Sequence, residues 1–126
     1  MSTFPYNNLK ISLETIWSYF ESATEHKGYD FRLGFLGSVT KDDSPAVRTV
    51  VLRHFFRKKQ ELIIYTDERS DKVPQFKARP KAELLFYDWD RKIQVRCLCD
   101  IRLLSYQEFV GETSITPDIE GVKDFM

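Results

Sequence analysis

The sequence predicts a mainly β protein with flanking helices, its strands closing or nearly closing into a barrel. Two observations carry that expectation. Stretches of alternating or β-branched residues follow one another with only short polar turns between them. Few crossover helices interrupt them, which favours a barrel over a doubly wound α/β sheet. The 126 residues make at most one domain, spanning 1–126, that can bury a core without metal or disulfide staples.

A helix comes first. Ser12 is a candidate N-cap, Leu13, Ile16, Trp17 and Phe20 form one apolar stripe, and Gly28 ends the segment. Phe31, Leu33, Phe35 and Val39 then share one parity, as the buried side of a half-buried strand does. Lys41 to Pro45 is a polar turn, Ala46 to Phe56 a β-branched strand, Arg57 to Gln60 a charged hairpin turn, and Glu61 to Thr66 a third strand. Ser70 caps a short helix from Asp71 to about Ala78, with Pro74 near its first turn and Pro80 closing it. Lys81 to Asp88 and Lys92 to Leu104 are the last two strands. Ser105 and Glu108 form a capping box, yet Gly111 is expected to stop that helix after about one turn. Val122 to Met126 reads as the start of a strand, so a segment is expected to be missing near 110–111 or beyond Met126.

Composition narrows the function classes. Nineteen basic residues balance nineteen acidic ones, so no global field draws the chain to nucleic acid or to an anionic membrane. No apolar run is long enough to span a bilayer, and Met1 to Lys10 lacks the core of a signal peptide. Cys97 and Cys99, two apart, suit neither a redox pair nor a zinc knuckle and are expected to be reduced packing residues, as in a cytoplasmic protein. With two histidines and two cysteines, metal catalysis is not expected.

Three patches place cationic or hydrogen-bonding residues on apolar strands: Arg48 to Arg53, Tyr65 to Lys72, and Gln94 to Arg96. A cation on a strand must be solvated, paired or aimed at a ligand, because burying it alone is costly. Arg48 and Arg53 project to opposite faces of one strand, and a guanidinium forks onto phosphate oxygens. Ser70 and Lys72 lie at a helix start, where an anion is favoured, and Thr66 adds a hydroxyl. Gln94 offers both donor and acceptor to the polar edge of a heterocycle. Each alone has a plainer reading: paired arginines, a cap, an exposed amide, and Arg96 neutralised by Asp88, Asp90 or Asp100. His54, beside the arginine strand, is expected to be structural.

In order and spacing, Arg-x-Val-Val-Leu-Arg, Tyr-Thr-Asp-x-Arg-Ser-x-Lys, Pro-x-Ala-x-Leu-x-Phe-Tyr and Arg-x-x-Gln-Val-Arg resemble the FMN-binding split barrel of the pyridoxamine 5′-phosphate oxidase family, over roughly Phe31 to Leu104. The resemblance implies a split β-barrel, FMN as cofactor and a homodimer with the site between subunits. It implies that Arg48 holds the FMN phosphate, with Ser70 and Lys72 at the second phosphate step. Val50, Val51 and Leu52 match the strand along the flavin ring, Arg53 stands where the oxidase usually has lysine, Tyr65 and Thr66 match the flavin-site pair, and Gln94 matches the glutamine reaching in from a neighbouring strand. Asp71 replaces an arginine of the family pattern, and the oxidase's substrate-phosphate motif, Tyr-x-x-x-Arg with a following serine, is absent after Leu104. Two readings follow: an FMN-dependent oxidoreductase acting on an unknown small molecule, or a non-catalytic module on the same barrel that binds flavin, deazaflavin or haem. A structural dimer without a ligand is a third.

Overall fold

In the computed structural model, residues 4–26, 28–66, 69–70 and 72–115 are described. Helix α1 (Leu9–Glu25) starts on Asn8, whose side-chain oxygen accepts the Ile11 N–H at 3.0 Å. The expected cap, Ser12, lies inside the first turn and donates its hydroxyl to the Pro5 carbonyl. The buried side of α1 carries Phe20 and Ala23 into the core, with Ile16 and Trp17 packed beside them.

A short 3-10 turn (Asp30–Arg32) buries Phe31 and leads into strand β1 (Leu33–Val39). That turn resets the phase of the strand. Gly34, Leu36 and Ser38 face inward, whereas Leu33, Phe35 and Val39 are exposed, the reverse of the parity expected from their hydrophobicity. Gly34 is there because a Cβ would lie 2.7 Å from the ring of Phe86, which the core packs over it.

Strand β2 (Pro45–Val51) returns antiparallel to β1, pairing Leu36 with Arg48 and Leu33 with Val51. The strand expected to run from Ala46 to Phe56 is broken at Leu52 and Arg53. Leu52 donates its N–H to the Arg32 carbonyl at 2.7 Å and Arg53 to the Ile63 carbonyl at 2.8 Å, so the chain passes there from one sheet to another. Strands β3 (His54–Phe56) and β4 (Glu61–Ile63) form that second, two-stranded sheet. The turn between them is tied to α1 by Arg57, whose guanidinium meets Glu21 at 2.6 Å.

Helix α2 (Lys72–Ala78) buries Phe76 and carries Pro74 in its first turn. Strands β5 (Lys81–Asp88) and β6 (Ile93–Asp100) complete a four-stranded antiparallel sheet in the order β2-β1-β5-β6. The ladder does not close: β2 and β6 are its edges, and the architecture is a split, open antiparallel barrel. β6 stops at Asp100, short of the expected Leu104. Arg96 pairs in a fork with Glu83, at 2.6 and 3.1 Å, rather than with an aspartate, because Glu83 projects from β5 on the same face.

Phe20 centres the core, edge-on to Phe86 at 4.9 Å and 5.4 Å from both Phe31 and Phe55. Leu36, Val50, Leu52, Leu84, Ile93 and Val95 fill the remainder. Cys97 and Cys99 are free, half-buried thiols at the end of this inner face, and burial pushes the Cys97 thiol up to about 11.

Helix α3 (Tyr106–Thr113) opens with the expected capping box: Ser105 accepts from the Glu108 N–H, and Glu108 from the Ser105 N–H, each at 3.1 Å. It does not stop at Gly111. It runs on to Thr113 and ends where Ser114 turns left-handed at φ 61°. The strand start expected over 122–126 lies outside the described residues.

Candidate functional site

Arg48 projects from the inner side of the edge strand β2. Its Nη2 donates to the Ser38 hydroxyl at 3.2 Å and to Gln75 Oε1 at 3.4 Å, and Ser38 donates to the same Gln75 oxygen at 3.2 Å. Gln75 lies on α2 three residues after Lys72, so the two share one side of that helix. The structure thereby brings Arg48 to Lys72. Burial first, and then the charge of Arg48, lower the pKa of the Lys72 ammonium. Ser70 accepts the Lys72 N–H at 3.3 Å through its hydroxyl. Two cations that disfavour one another, beside a hydroxyl, have the donor chemistry that suits a phosphate dianion.

Thr66 ends the segment leaving β4. Its hydroxyl is buried and has no hydrogen-bond partner among the described residues. A buried hydroxyl left this way costs free energy unless something else bonds it.

Arg53 and Tyr65 meet in a second group. The guanidinium lies 5.5 Å from the centre of the Tyr65 ring, and the Tyr65 hydroxyl is hydrogen-bonded to His54 Nε2. Val50 and Leu52 are core residues, so their side chains serve packing, while Val51 pairs with Leu33 on the other face. Asp71 lies outside the described residues.

Gln94 is placed apart. It pairs with Tyr87 on the outer face of the sheet and is exposed. Arg48 is on the inner side, three strands away in the order β2-β1-β5-β6, so one chain alone does not bring them together. Sequence reasoning also missed Ser38 and Gln75. The signal for Gln75 was its i+3 spacing from Lys72. Ser38 became visible only with the β1–β2 register.

An open antiparallel barrel whose edge strand and adjoining helix gather an arginine, a lysine and a hydroxyl defines a domain suited to an anionic ligand. The chain belongs to the family described as "Pyridoxamine 5'-phosphate oxidase, FMN-binding domain", which matches residues 14–105. A pyridoxine/pyridoxamine 5'-phosphate oxidase of Aliarcobacter butzleri is 35% identical over 91 residues, covering 72% of this chain and 42% of that protein. One from Porphyromonas gingivalis is 30% identical over the same shares. Among solved structures, a pyridoxamine 5'-phosphate oxidase-related, FMN binding protein from Nostoc punctiforme superposes with a TM-score of 0.65 at 26% identity, covering 90% of this chain and 55% of that one. The chain therefore spans less than half the length of the curated relatives it matches. Among the described residues, no helix is long and apolar enough to cross a membrane.

Proposed function

We propose that the chain binds FMN and forms half of a homodimeric flavin-dependent oxidoreductase site. The observation that carries the reading is the approach of Arg48 and Lys72, whose mutual repulsion an anion would relieve. Arg48, Ser70 and Lys72 hold the phosphate, with Gln75 and Ser38 fixing the Arg48 fork. The buried Thr66 hydroxyl, which has no partner among the described residues, gains one. FMN, when bound, supplies the redox chemistry, so the protein need contribute only binding, orientation and a dry environment.

The position of Gln94 supports the dimer. A ligand touching both Arg48 and Gln94 needs a second copy, because the two residues are on opposite faces of one sheet. The outer face also exposes apolar side chains: Val47 is 72% exposed, Leu98 86% and Phe35 42%. A second copy would cover it.

Titration with FMN, followed by absorbance and fluorescence quenching, tests the reading. Arg48→Ala should weaken binding ten- to a hundredfold, for the loss of about 1.5–3 kcal/mol in a charge-assisted contact. Full affinity in that variant would undo the assignment. The stretch after Leu104 lacks the Tyr-x-x-x-Arg pattern, with Val110 four residues after Tyr106, and this favours a second reading, a non-catalytic flavin binder. Pyridoxamine 5′-phosphate under air is the first test between them: hydrogen peroxide in step with turnover supports the oxidase and overturns the binder, and none removes this compound as the substrate.

A further inference from the structure

His54 and Tyr65 come from the two strands of the small sheet and its exit. His54 pairs with Ile63, and Tyr65 follows Ile63 by two residues, which puts its ring on the same side as the imidazole. The Tyr65 hydroxyl meets His54 Nε2. Phe109 of α3 backs both rings, stacked on His54 at 5.5 Å and 30°, and edge-on to Tyr65 at 6.0 Å and 75°. Phe56 stacks near His54 at 6.3 Å, and the Arg53 guanidinium lies 5.5 Å from the centre of the Tyr65 ring. The imidazole is thus confined by three elements.

In the Nδ1–H tautomer, Nε2 holds its lone pair and accepts from the phenol hydroxyl, the stronger donor of the two. Burial, and then the charge of Arg53, lower the pKa of His54, which favours the neutral ring. Tyr65 is the residue immediately before Thr66, whose buried hydroxyl has no partner among the described residues. Holding the Tyr65 side chain therefore restrains the backbone that carries the Thr66 hydroxyl.

We propose that His54 is a positioning residue for the cofactor site: by holding the Tyr65 hydroxyl it orients the Tyr65–Thr66 step toward the ligand. This rests on the FMN reading given above. It assigns His54 no contact with the ligand and no part in proton transfer.

The test is a double-mutant cycle in FMN affinity with His54→Leu, Tyr65→Phe and their combination, alongside His54→Gln. Each single variant should bind FMN about three- to tenfold more weakly, the range of one net hydrogen bond. The double variant should be no weaker than either single one. His54→Gln, whose amide oxygen still accepts a phenol proton, should recover affinity to within about twofold. Additive losses, or unchanged affinity in both single variants, would overturn the proposal and leave FMN binding standing. No FMN binding by the wild-type protein would overturn both. A second readout is independent of flavin and uses the fact that the chain has two histidines. In ¹⁵N-histidine NMR, His54 Nε2 should be unprotonated and should shift in Tyr65→Phe while His26 stays still. A protonated Nε2, or no shift, would also overturn it. Tyr65→Phe keeps the cycle informative if His54→Leu does not fold.

Discussion

Asp88 and Arg91 clamp the turn between β5 and β6 to the helical side of the molecule, and removing either partner should have unequal effects. Asp88 is 1% exposed. Its carboxylate accepts the Arg91 N–H at 2.8 Å and Arg91 Nη1 at 2.5 Å. Arg91 continues outward, donating to the Tyr29 hydroxyl at 3.0 Å with its guanidinium 4.3 Å from the centre of the Tyr19 ring. Arg91→Ala leaves a buried carboxylate with the backbone N–H groups of residues 90 and 91 but, among the described residues, no counter-ion. Such orphaned charges cost about 3–5 kcal/mol, and because the Arg91 side chain is 37% exposed, letting water replace it, the lower end of that range applies. Asp88→Ala instead leaves a guanidinium that keeps water and Tyr19, and should cost about 1.5–3 kcal/mol. The double variant should lose less than the sum, since the pair is coupled. Urea unfolding of the four proteins at neutral pH reads all three numbers. A larger loss in Asp88→Ala than in Arg91→Ala, or simple additivity, would refute the reasoning. The pH dependence adds a check. Burial pushes the Asp88 carboxyl up, but the Arg91 N–H and guanidinium outweigh it and hold its pKa below the ordinary 3.8. A depressed carboxyl stabilises the fold above its unfolded pKa and loses that contribution as pH falls through the folded value. Wild type should therefore keep this contribution down to about pH 4, whereas Arg91→Ala, with burial less opposed, should begin losing stability at higher pH.

Affinity for FMN or inorganic phosphate should fall as pH rises through the depressed pKa of Lys72, by at most tenfold per unit, starting below the ordinary lysine value of 10.5. Lys72→Met should flatten that slope in the same titration, and an unchanged slope would place the titrating group elsewhere. Thr66→Val should leave the ligand-free protein as stable or up to about 1 kcal/mol more stable, because the buried hydroxyl has no partner among the described residues. The same variant should weaken FMN about three- to tenfold, so a clear drop in melting temperature would count against the assignment. Gly34→Ala should cost about 1–3 kcal/mol in thermal or urea unfolding, since the new methyl would meet the buried Phe86 ring at 2.7 Å and the ring must move.

Sequence was most informative where local chemistry decides the outcome. β5 runs from Lys81 to Asp88 as expected, because Pro80 and the polar Asp90-Arg91-Lys92 turn bound it, and the Ser105–Glu108 capping box forms as written. It was least informative where tertiary packing overrides periodicity. Leu9 in the first turn of α1 is exposed, and the stripe that begins at Leu13 points to Ser12 although Asn8 is the cap. The 3-10 turn at Asp30–Arg32 inverted the faces of β1, and no single-strand pattern encodes such a phase shift. Gly111 costs a helix roughly 1 kcal/mol without ending it, since the left-handed Ser114 supplies the stop. At the site, the charges of Arg48 and Lys72 could be read from sequence and their approach could not, because it depends on the hydrogen bonds that join Gln75 of α2 to Ser38 and Arg48. Placing Gln94 needed the strand register, which decides the face each residue takes.

The half-buried cysteines of β6 have a practical consequence. With its pKa raised to about 11, the Cys97 thiol is ionised in only about one molecule in ten thousand at neutral pH. Alkylating reagents and peroxide attack the thiolate, so modification of Cys97 should be governed by transient openings of the β5–β6 region rather than by surface access. The side chain is a native clock for the breathing of the sheet. Its labelling rate, followed with and without FMN, would measure how far a bound ligand quiets the strands that carry no part of the phosphate clamp.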